Sequence, residues 1–226
     1  MKPDYLWNCL ENADKVAQTA CKEILAAADA AIAKHGRFKI VLAGGTTPEK
    51  VYRLLAKSHA DWQNWWVYHG DERCLPIDHK DRNSVMASNA FLNEVAIPKN
   101  QIFDIHAELG PEQGAAAYRP FVADALPFDL VLLGMGEDGH TASLFPGHSH
   151  DPFELTHAVY NSPKPPPERI SMSALALSNA QQVFILVTGA NKRDAVKQWC
   201  SDFELPIATI SNDNITILID RDASND

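Results

Sequence analysis

A short apolar run that ends in a polar, glycine-rich turn constrains this chain more than any other feature. Residues 130–133 are continuously apolar, as in a strand that is buried on both faces of a sheet. The run stops at Gly134, and the segment that follows reads GMGEDGHTASLFPGH. In open parallel sheets, ligands bind beyond the carboxyl ends of the strands. We therefore expect a small molecule to bind beside Asp138, His140, Thr141 and Ser143.

The same segment matches the GxGxxG pattern of dinucleotide-binding loops. That pattern requires a long helix after its third glycine, with the helix N-terminus facing the pyrophosphate. Here Pro146 follows within two turns, and the carboxylates of Glu137 and Asp138 would repel a diphosphate. The glycines are better interpreted as positions where the backbone can approach a smaller ligand.

Apolar runs of strand length alternate with helical patterns along the sequence. Residues 12–35 carry apolar side chains at helical spacing up to Gly36, and residues 38–43 predict the first central strand. Further strands are predicted within residues 62–69, 102–105, 170–173, 183–187, 207–210 and 215–219. A helix is predicted at residues 113–125, where Pro120 should kink or split it. The pattern predicts one α/β domain over residues 1–226, with a mostly parallel sheet of five to seven strands covered on both faces.

Composition narrows the classes of partner. The formal net charge is −9, which opposes non-specific attraction to nucleic acid or to an anionic membrane surface. No apolar run reaches the roughly 18 residues that a membrane-spanning helix needs, and the N-terminus lacks the apolar region of a secretory signal. The four cysteines lack the spacing of a zinc site or a disulfide framework. We expect a cytoplasmic protein with reduced thiols.

Other polar clusters also follow predicted strands. The segment GGTTPEK at residues 44–50 predicts a glycine turn that opens a helix, with Thr47 as a possible cap. Its amides and hydroxyls suit a phosphate, although a simple strand–helix turn explains them equally well. Asp71, Glu72 and Arg73 follow the strand predicted at residues 62–69, and they indicate either a site or a structural ion pair.

A third cluster, residues 188–193, includes Lys192, and Arg169 follows a proline-rich connection at residues 163–167. Because the ends of parallel strands face one way, these clusters should meet in one crevice. Lys192 and Arg169 would bind an anion there, which points to a phosphorylated small molecule. His140 is the best candidate for acid–base chemistry, since it lies in a glycine turn and imidazole titrates near neutral pH. The alternative is a surface histidine without a role.

The motifs LAGGTTPEKVY, HGDERCLP with the RNS that follows, LLGMGEDGHTASLFPG, the proline-rich run before RIS, and VTGANKR resemble, in this order, those of the 6-phosphogluconolactonase family. The family is related to the glucosamine-6-phosphate deaminases. The resemblance covers most of the chain and implies a Rossmann-like three-layer α/β/α fold. It also implies hydrolysis of 6-phosphoglucono-1,5-lactone, a phosphorylated sugar lactone, with no metal or nucleotide cofactor.

Residue roles follow from the resemblance by position. It implies that His140 activates water, and that Asp71, Arg73 and Asp138 line the lactone end of the site. The residues implied to hold the 6-phosphate are Gly44, Gly45, Thr46, Arg169 and Lys192. Thr46 stands where the family often has serine, a change that keeps the hydroxyl. Asp71 or Asp138 could orient His140, and Arg73 or amides near Gly139 could stabilise the oxyanion.

Two other functions are consistent with the same residues. One is an amino-sugar-phosphate deaminase or isomerase with Asp71 as the base, and the other is a sugar-phosphate sensor without catalysis. The related deaminases need a glutamate shortly after the matching histidine, but residues 143–146 read SLFP here. That departure favours the lactonase. The sequence does not distinguish a monomer from a homodimer.

Overall fold

The computed structural model describes residues 5–201 and 204–224. In this part of the chain there are ten strands: β1 (Tyr5–Leu10), β2 (Phe38–Leu42), β3 (Trp65–His69), β4 (Asp71–Arg73), β5 (Ile102–Phe103), β6 (Phe128–Gly134), β7 (Thr156–Val159), β8 (Arg169–Met172), β9 (Ala180–Val187) and β10 (Ile215–Asp220). The α-helices there are α1 (Ala13–His35), α2 (Thr46–Leu55), α3 (Asn83–Ala87), α4 (Pro111–Ala125), α5 (Ala174–Ser178) and α6 (Arg193–Cys200).

Seven of the strands form one central sheet in the order β1-β10-β9-β6-β2-β3-β5. Every neighbouring pair in it is parallel. The remaining strands form a small antiparallel sheet in the order β4-β8-β7. The predicted α/β fold with a mostly parallel sheet of five to seven strands is therefore confirmed.

Strand β6 lies at the centre of the sheet and explains why the run at residues 130–133 is continuously apolar. Leu130 and Leu132 belong to the core on one face, together with α1 and α2. Val131 and Leu133 belong to the core on the other face, together with α4 and α6. Because both faces are covered, the side chains of residues 130–133 are all apolar, and polar residues follow only where the strand ends.

Helix α1 covers a long stretch of the first face. The Asn12 side chain accepts the N–H of Lys15 at 3.0 Å and caps the start of the helix. Gly36, at φ 80°, ends it by donating its N–H to the carbonyl of Ile32. Both ends agree with the sequence prediction. None of the helices in residues 5–201 and 204–224 has the length and hydropathy of a membrane span.

One predicted strand does not form, and one predicted helix is not split. Residues 207–210 were predicted as a strand, but Pro206–Thr209 form a turn of 3-10 helix that buries Ile207. A proline at the start favours a helical turn, and a short apolar run does not distinguish the two states. Helix α4 is also not split at Pro120. Pro120 lies on the exposed side, so water can satisfy the carbonyl that loses its partner.

The segment Asp71–Arg73 does not simply end β3, because it forms the separate strand β4. Glu72 is completely buried there. Its carboxylate accepts the N–H groups of Asn83 and Ser84 at 2.7 and 2.8 Å, and lies 3.5 Å from the Nε of buried Arg82. For Glu72, the structural ion pair is thus the correct alternative, and it fixes the start of α3 to the small sheet.

We expect Glu72→Ala to lower the free energy of unfolding by about 3–5 kcal/mol, because it removes the acceptor of two buried amides at the start of α3 and one of the two carboxylates beside the buried guanidinium of Arg82. Urea denaturation measures this loss. Glu168→Ala, which removes an exposed carboxylate next to the same small sheet, is the matched control and should change little. Equal stability of Glu72→Ala and the unmodified protein would contradict the structural role of this carboxylate.

Candidate active site

A cavity of about 290 Å³ lies at the carboxyl ends of β2, β6 and β9. Three of the predicted polar clusters meet in this cavity: residues 44–47, residues 134–143 and residues 188–193. The lining residues that bear on chemistry are Gly45, Thr46, Gly136, His140, Asn191 and Lys192. Of the nine site residues named from the sequence, Gly45, Thr46, His140 and Lys192 line the cavity directly, whereas Gly44, Asp71, Arg73, Asp138 and Arg169 do not.

The turn after β2 supplies one wall of the cavity. Gly45 has φ 103°, a value that favours glycine, and no side chain caps the N-terminus of α2. The prediction that Thr47 caps this helix is therefore wrong. The hydroxyl of Thr47 instead lies 2.6 Å from the hydroxyl of Thr188 and connects the turn after β2 to the turn after β9. The uncapped N-terminus, with its positive dipole end, is suited to an anion.

His140 is positioned by its contact with Asp138. The Nδ1 of His140 lies 2.5 Å from a carboxylate oxygen of Asp138. A methyl group at Gly136 would lie 2.0 Å from this Nδ1, so only glycine lets the imidazole lie against the backbone. Gly136 also donates its N–H to the carbonyl of His140 at 2.8 Å. The second ring nitrogen, Nε2, has no partner among residues 5–201 and 204–224.

The electrostatics of Asp138 follow from this contact. Partial burial by itself would raise the pKa of the Asp138 carboxyl, but the hydrogen bond and charge of His140 outweigh burial and lower the pKa. Asp138 is therefore ionised at neutral pH. A carboxylate on Nδ1 favours the tautomer with its proton on Nδ1, which leaves Nε2 as the proton acceptor.

Asp71 is engaged elsewhere. One of its carboxylate oxygens accepts the hydroxyl of Ser143 at 2.6 Å, and the other accepts the side-chain amide of Asn83 at 2.9 Å. The side chain is buried, so both oxygens are satisfied without His140. Of the two residues that could orient the imidazole, Asp138 makes the contact. Asp71 instead links the turn that follows His140 to β4 and α3.

Neither donor expected for an oxyanion faces the cavity. The N–H of Gly139 donates to the carbonyl of Gly136 at 3.1 Å and is not free to bind an oxyanion. The guanidinium of Arg73 donates to the carbonyl of Asp81 at 2.5 Å. Both groups therefore have other partners within the protein.

Arg169 organises the proline-rich loop. Its guanidinium donates to the carbonyls of Lys164, Pro165 and Pro166 at 2.9–3.2 Å. Its Cζ lies 5.6 Å from the centre of the Phe145 ring, whose centre is 4.7 Å from that of the His140 imidazole. Burial lowers the pKa of Arg169, although arginine stays cationic at any physiological pH. Arg169 thus holds the loop and reaches His140 only through an aromatic ring.

Lys192 is the cation in the cavity. Its burial lowers its pKa, an effect that the carboxylates of Glu137 and Asp138 partly oppose. Glu137 accepts the side-chain amide of Asn191 at 2.6 Å, and this bond, with the charges of Lys192 and Lys164, lowers the pKa of Glu137. Lys164 is a residue that the sequence analysis missed. It carries a second positive charge to this end of the cavity from the proline-rich segment, which was interpreted as a connection only.

The turn after β6 is not a dinucleotide loop. No helix follows Gly139, and Thr141 and Leu144 instead form an isolated bridge. Thr141 donates its hydroxyl to the carbonyl of Gly134 at 2.9 Å, so the segment folds back over the end of its own strand. Among the residues that the structure describes, no group of three His, Cys, Asp or Glu side chains could hold a metal ion.

Comparison with known proteins identifies the family. The sequence model described as glucosamine-6-phosphate isomerases/6-phosphogluconolactonase matches residues 11–219. This chain belongs to that family. A 6-phosphogluconolactonase of Mycobacterium tuberculosis is 37% identical over 234 residues, which cover 94% of this chain and 94% of that protein.

Other members of the family differ in length or identity. A probable chloroplastic 6-phosphogluconolactonase 4 of Oryza sativa subsp. japonica is 36% identical over 75% of this chain, and the match spans only 58% of the rice protein. The structure of 6-phosphogluconolactonase from Trypanosoma brucei superimposes with a TM-score of 0.87 at 27% identity, over 98% of this chain and 97% of that one. The Thermotoga maritima 6-phosphogluconolactonase has a TM-score of 0.90 over 96% and 100% of the two chains, but at 24% identity it supports the fold alone.

The contact between His140 and Asp138 predicts a pH-dependent contribution to stability. Because folding lowers the pKa of Asp138, its carboxylate stabilises the protein above its ordinary pKa of 3.8, and this contribution is lost as pH falls through the lower folded-state value. We expect Asp138→Asn to be less stable than the unmodified protein at pH 6, by less than about 1 kcal/mol because the side chain is 34% exposed. The difference should vanish well below pH 3.8.

Urea denaturation between pH 3 and pH 7 measures this difference. Asp29→Asn, on the exposed side of α1, is the control for removing one carboxylate. A stability difference that does not change with pH would show that His140 does not influence the titration of Asp138.

Proposed function

We propose that this protein hydrolyses 6-phosphoglucono-1,5-lactone to 6-phosphogluconate, the second step of the oxidative pentose phosphate pathway. The observation that carries the proposal is one cavity with His140, held by Asp138, together with the cation Lys192 and the open N-terminus of α2. His140 suits the opening of an ester, whereas Lys192 and the N-terminus of α2 suit the binding of a phosphate. Membership of the family and the 37% identity to a mycobacterial 6-phosphogluconolactonase support the same reaction.

His140 acts as the general base in the proposed reaction. Its Nε2 takes a proton from water as the water oxygen attacks the C1 carbonyl of the lactone. The tetrahedral intermediate then collapses, the bond between C1 and the ring oxygen breaks, and the imidazolium returns the proton to that oxygen. Asp138 keeps the ring in place and stabilises the imidazolium. General base catalysis of this kind contributes about 10²- to 10⁴-fold.

The phosphate is assigned to the wall formed by Lys192 and the N-terminus of α2. The backbone at Gly45 and Thr46 offers amides, the hydroxyl of Thr46 adds a donor, and Lys192 supplies the charge. Lys164 adds a second cation nearby. Binding at this end positions the lactone carbonyl next to His140, so the interaction should affect turnover as well as affinity.

We assign indirect roles to the site residues that do not line the cavity. Asp71 holds the turn that contains Ser143, and Arg169 holds the proline-rich loop that carries Lys164. Gly44 makes room for Asn83, whose Oδ1 would lie 2.2 Å from a Cβ at this position. Arg73 stabilises the loop at Asp81. Their replacement should act through the shape of the cavity.

The deaminase alternative is less well supported by the same geometry. Its proposed base, Asp71, already accepts two hydrogen bonds in a buried position. Residues 143–146 read SLFP, so this segment has no acidic side chain that could assist ring opening. Ser143 instead binds Asp71, and Leu144 and Phe145 are buried. We further propose the cytoplasm as the compartment, although several plant relatives are named as chloroplastic.

The protein should accelerate acid release from freshly prepared 6-phosphogluconolactone above the spontaneous rate. His140→Ala should lower kcat/KM by about 10²- to 10⁴-fold, because it removes the base. A pH-stat assay measures both rates. His59→Ala, on the exposed surface far from β6 in the sequence, should keep full activity.

Three outcomes would contradict the assignment. Lactone hydrolysis at the spontaneous rate would exclude the lactonase, and binding of the sugar phosphate without turnover would identify a sensor. Release of ammonia from glucosamine 6-phosphate would support the deaminase. If His140→Ala keeps full activity, the protein is still a lactonase but His140 is not its general base.

Lys192→Ala should raise KM for the phosphorylated lactone by about ten- to a hundredfold, the usual range for the loss of a hydrogen bond to a charged group. Hydrolysis of unphosphorylated glucono-1,5-lactone should be unaffected, because that substrate has no group for Lys192. Lys164→Ala should show the same selectivity with a smaller effect. Lys197→Ala, exposed on α6, controls for the loss of one cation. Equal losses with both lactones would contradict the assignment of the phosphate to this wall.

A further inference from the structure

A second cavity, of about 330 Å³, lies at the opposite edge of the sheet from the candidate active site. It is formed where α1 ends and where β2, β6 and β9 begin. These are the strands whose carboxyl ends carry the candidate active site. Since a strand advances by about 3.3 Å per residue and β6 has seven residues, the two cavities are roughly 20 Å apart.

The second cavity is basic. Its lining includes Lys34, His35, Arg37 and Lys39, which stand within six residues of sequence. The carboxylate in the lining is that of Asp129. Three permanent cations against one carboxylate leave a formal charge of +2, or +3 when His35 is protonated. The chain as a whole carries −9, so this concentration of positive charge is a local feature.

The carboxylate of Asp129 is engaged by other groups. One of its oxygens lies 2.9 Å from the Nε2 of His35, and the other accepts the backbone N–H of Lys39 at 2.8 Å. Lys34 and Arg37 are exposed, and no hydrogen bond or ion pair of their side chains occurs in the described part of the chain. Two cations at the rim of this cavity are therefore available for a ligand.

Lys39 is less exposed than Lys34 and Arg37. Its ammonium donates to the carbonyl of Ala125. Burial lowers the pKa of Lys39, the charge of Asp129 opposes this, and the charge of Arg37 lowers the pKa further. An anion placed between Lys39 and Arg37 would offset both the cost of burying the ammonium and its repulsion by the guanidinium.

Stabilisation of the end of α1 explains only part of the pattern. Cations in the last turn of a helix interact favourably with its dipole, and Lys34 and His35 are placed for this. Arg37 and Lys39, however, lie beyond Gly36 and on the adjacent strand β2, where the helix dipole does not account for them. Gln181 and Gln182, at the start of β9, complete the lining with amide groups that can donate hydrogen bonds.

We propose that this cavity is a binding site for a small phosphate-bearing anion with two or more negative charges, separate from the candidate active site. The charge of the lining matches such a ligand, and the volume limits it to a small molecule. Arg37 and Lys34 contact the ligand from the rim, Lys39 contacts it from deeper in the cavity, and the amides of Gln181 and Gln182 contact it from the side of β9.

Titration of the protein with pyrophosphate at low ionic strength tests this site. Amide resonances of Gln181 and Gln182 should shift and saturate in NMR spectra, and calorimetry should give the same affinity. Lys34→Gln/Arg37→Gln should weaken this binding by about tenfold or more, because both charges lie at short range from the ligand. Both side chains are exposed and have no partner to lose, so the variant should fold normally.

The matched control is Lys22→Gln/Lys57→Gln, which makes the same change in net charge on the opposite part of α1 and beyond α2. It should keep the affinity within about twofold, since these charges are distant and screened. Equal weakening in both double variants would overturn the proposal, because only net charge would then matter. Shifts confined to Gly136 and Lys192 would overturn it as well, since pyrophosphate would then bind only at the candidate active site. If no resonance shifts and saturates, the proposal is overturned as well.

Discussion

The burial of β6 on both faces is the constraint on which the rest of the structure depends. Every side chain from Leu130 to Leu133 is buried and apolar, so polar groups can reach a ligand only at the two ends of the strand. At that end, Gly136 lets the chain turn so tightly that the imidazole of His140 lies against its own backbone. The contact with Asp138 holds the ring in this position. The catalytic group of the proposed reaction is thus fixed by the sheet rather than by a mobile loop.

The surroundings of the turn extend this rigidity outward. Ser143 is tied to Asp71 and through it to Asn83, so the turn after β6 is connected to β4 and α3. On the other side, Phe145 lies between His140 and Arg169, and Arg169 holds the carbonyls of the proline-rich loop. The loop that carries Lys164 and the turn that carries His140 therefore share one support. Buried polar networks of this kind make the protein rigid and favour one arrangement of the side chains.

The sequence was informative wherever a local pattern carried the signal. Hydrophobic periodicity predicted α1 and β6, and glycine after a strand predicted the turns that contain Gly45 and His140. Pairings between distant segments had no such signal. The antiparallel pairing of β4 with β8 joins residues about a hundred positions apart, and the bond from Ser143 to Asp71 spans 72 positions. No local pattern in the sequence indicates that Asp71 binds Ser143 or that Lys164 lies near the cavity. Asp71 was therefore predicted to lie with the reacting residues, and the segment around Lys164 was predicted to be a connection.

The distribution of charge follows from the same parallel topology. A parallel sheet places all its carboxyl ends at one edge and all its amino ends at the other, so this chain has two polar edges separated by an apolar core. At the carboxyl edge, Lys192 is partly buried and its charge is offset by Glu137, which makes the affinity for a phosphate a balance between desolvation and attraction. At the amino edge, Arg37 and Lys34 are exposed and form no ion pair in the described part of the chain, while the one carboxylate in the lining, Asp129, contacts His35 and the backbone of Lys39. The two proposed anion sites are compatible with an acidic protein, because each cation cluster acts only within about 10 Å at physiological salt.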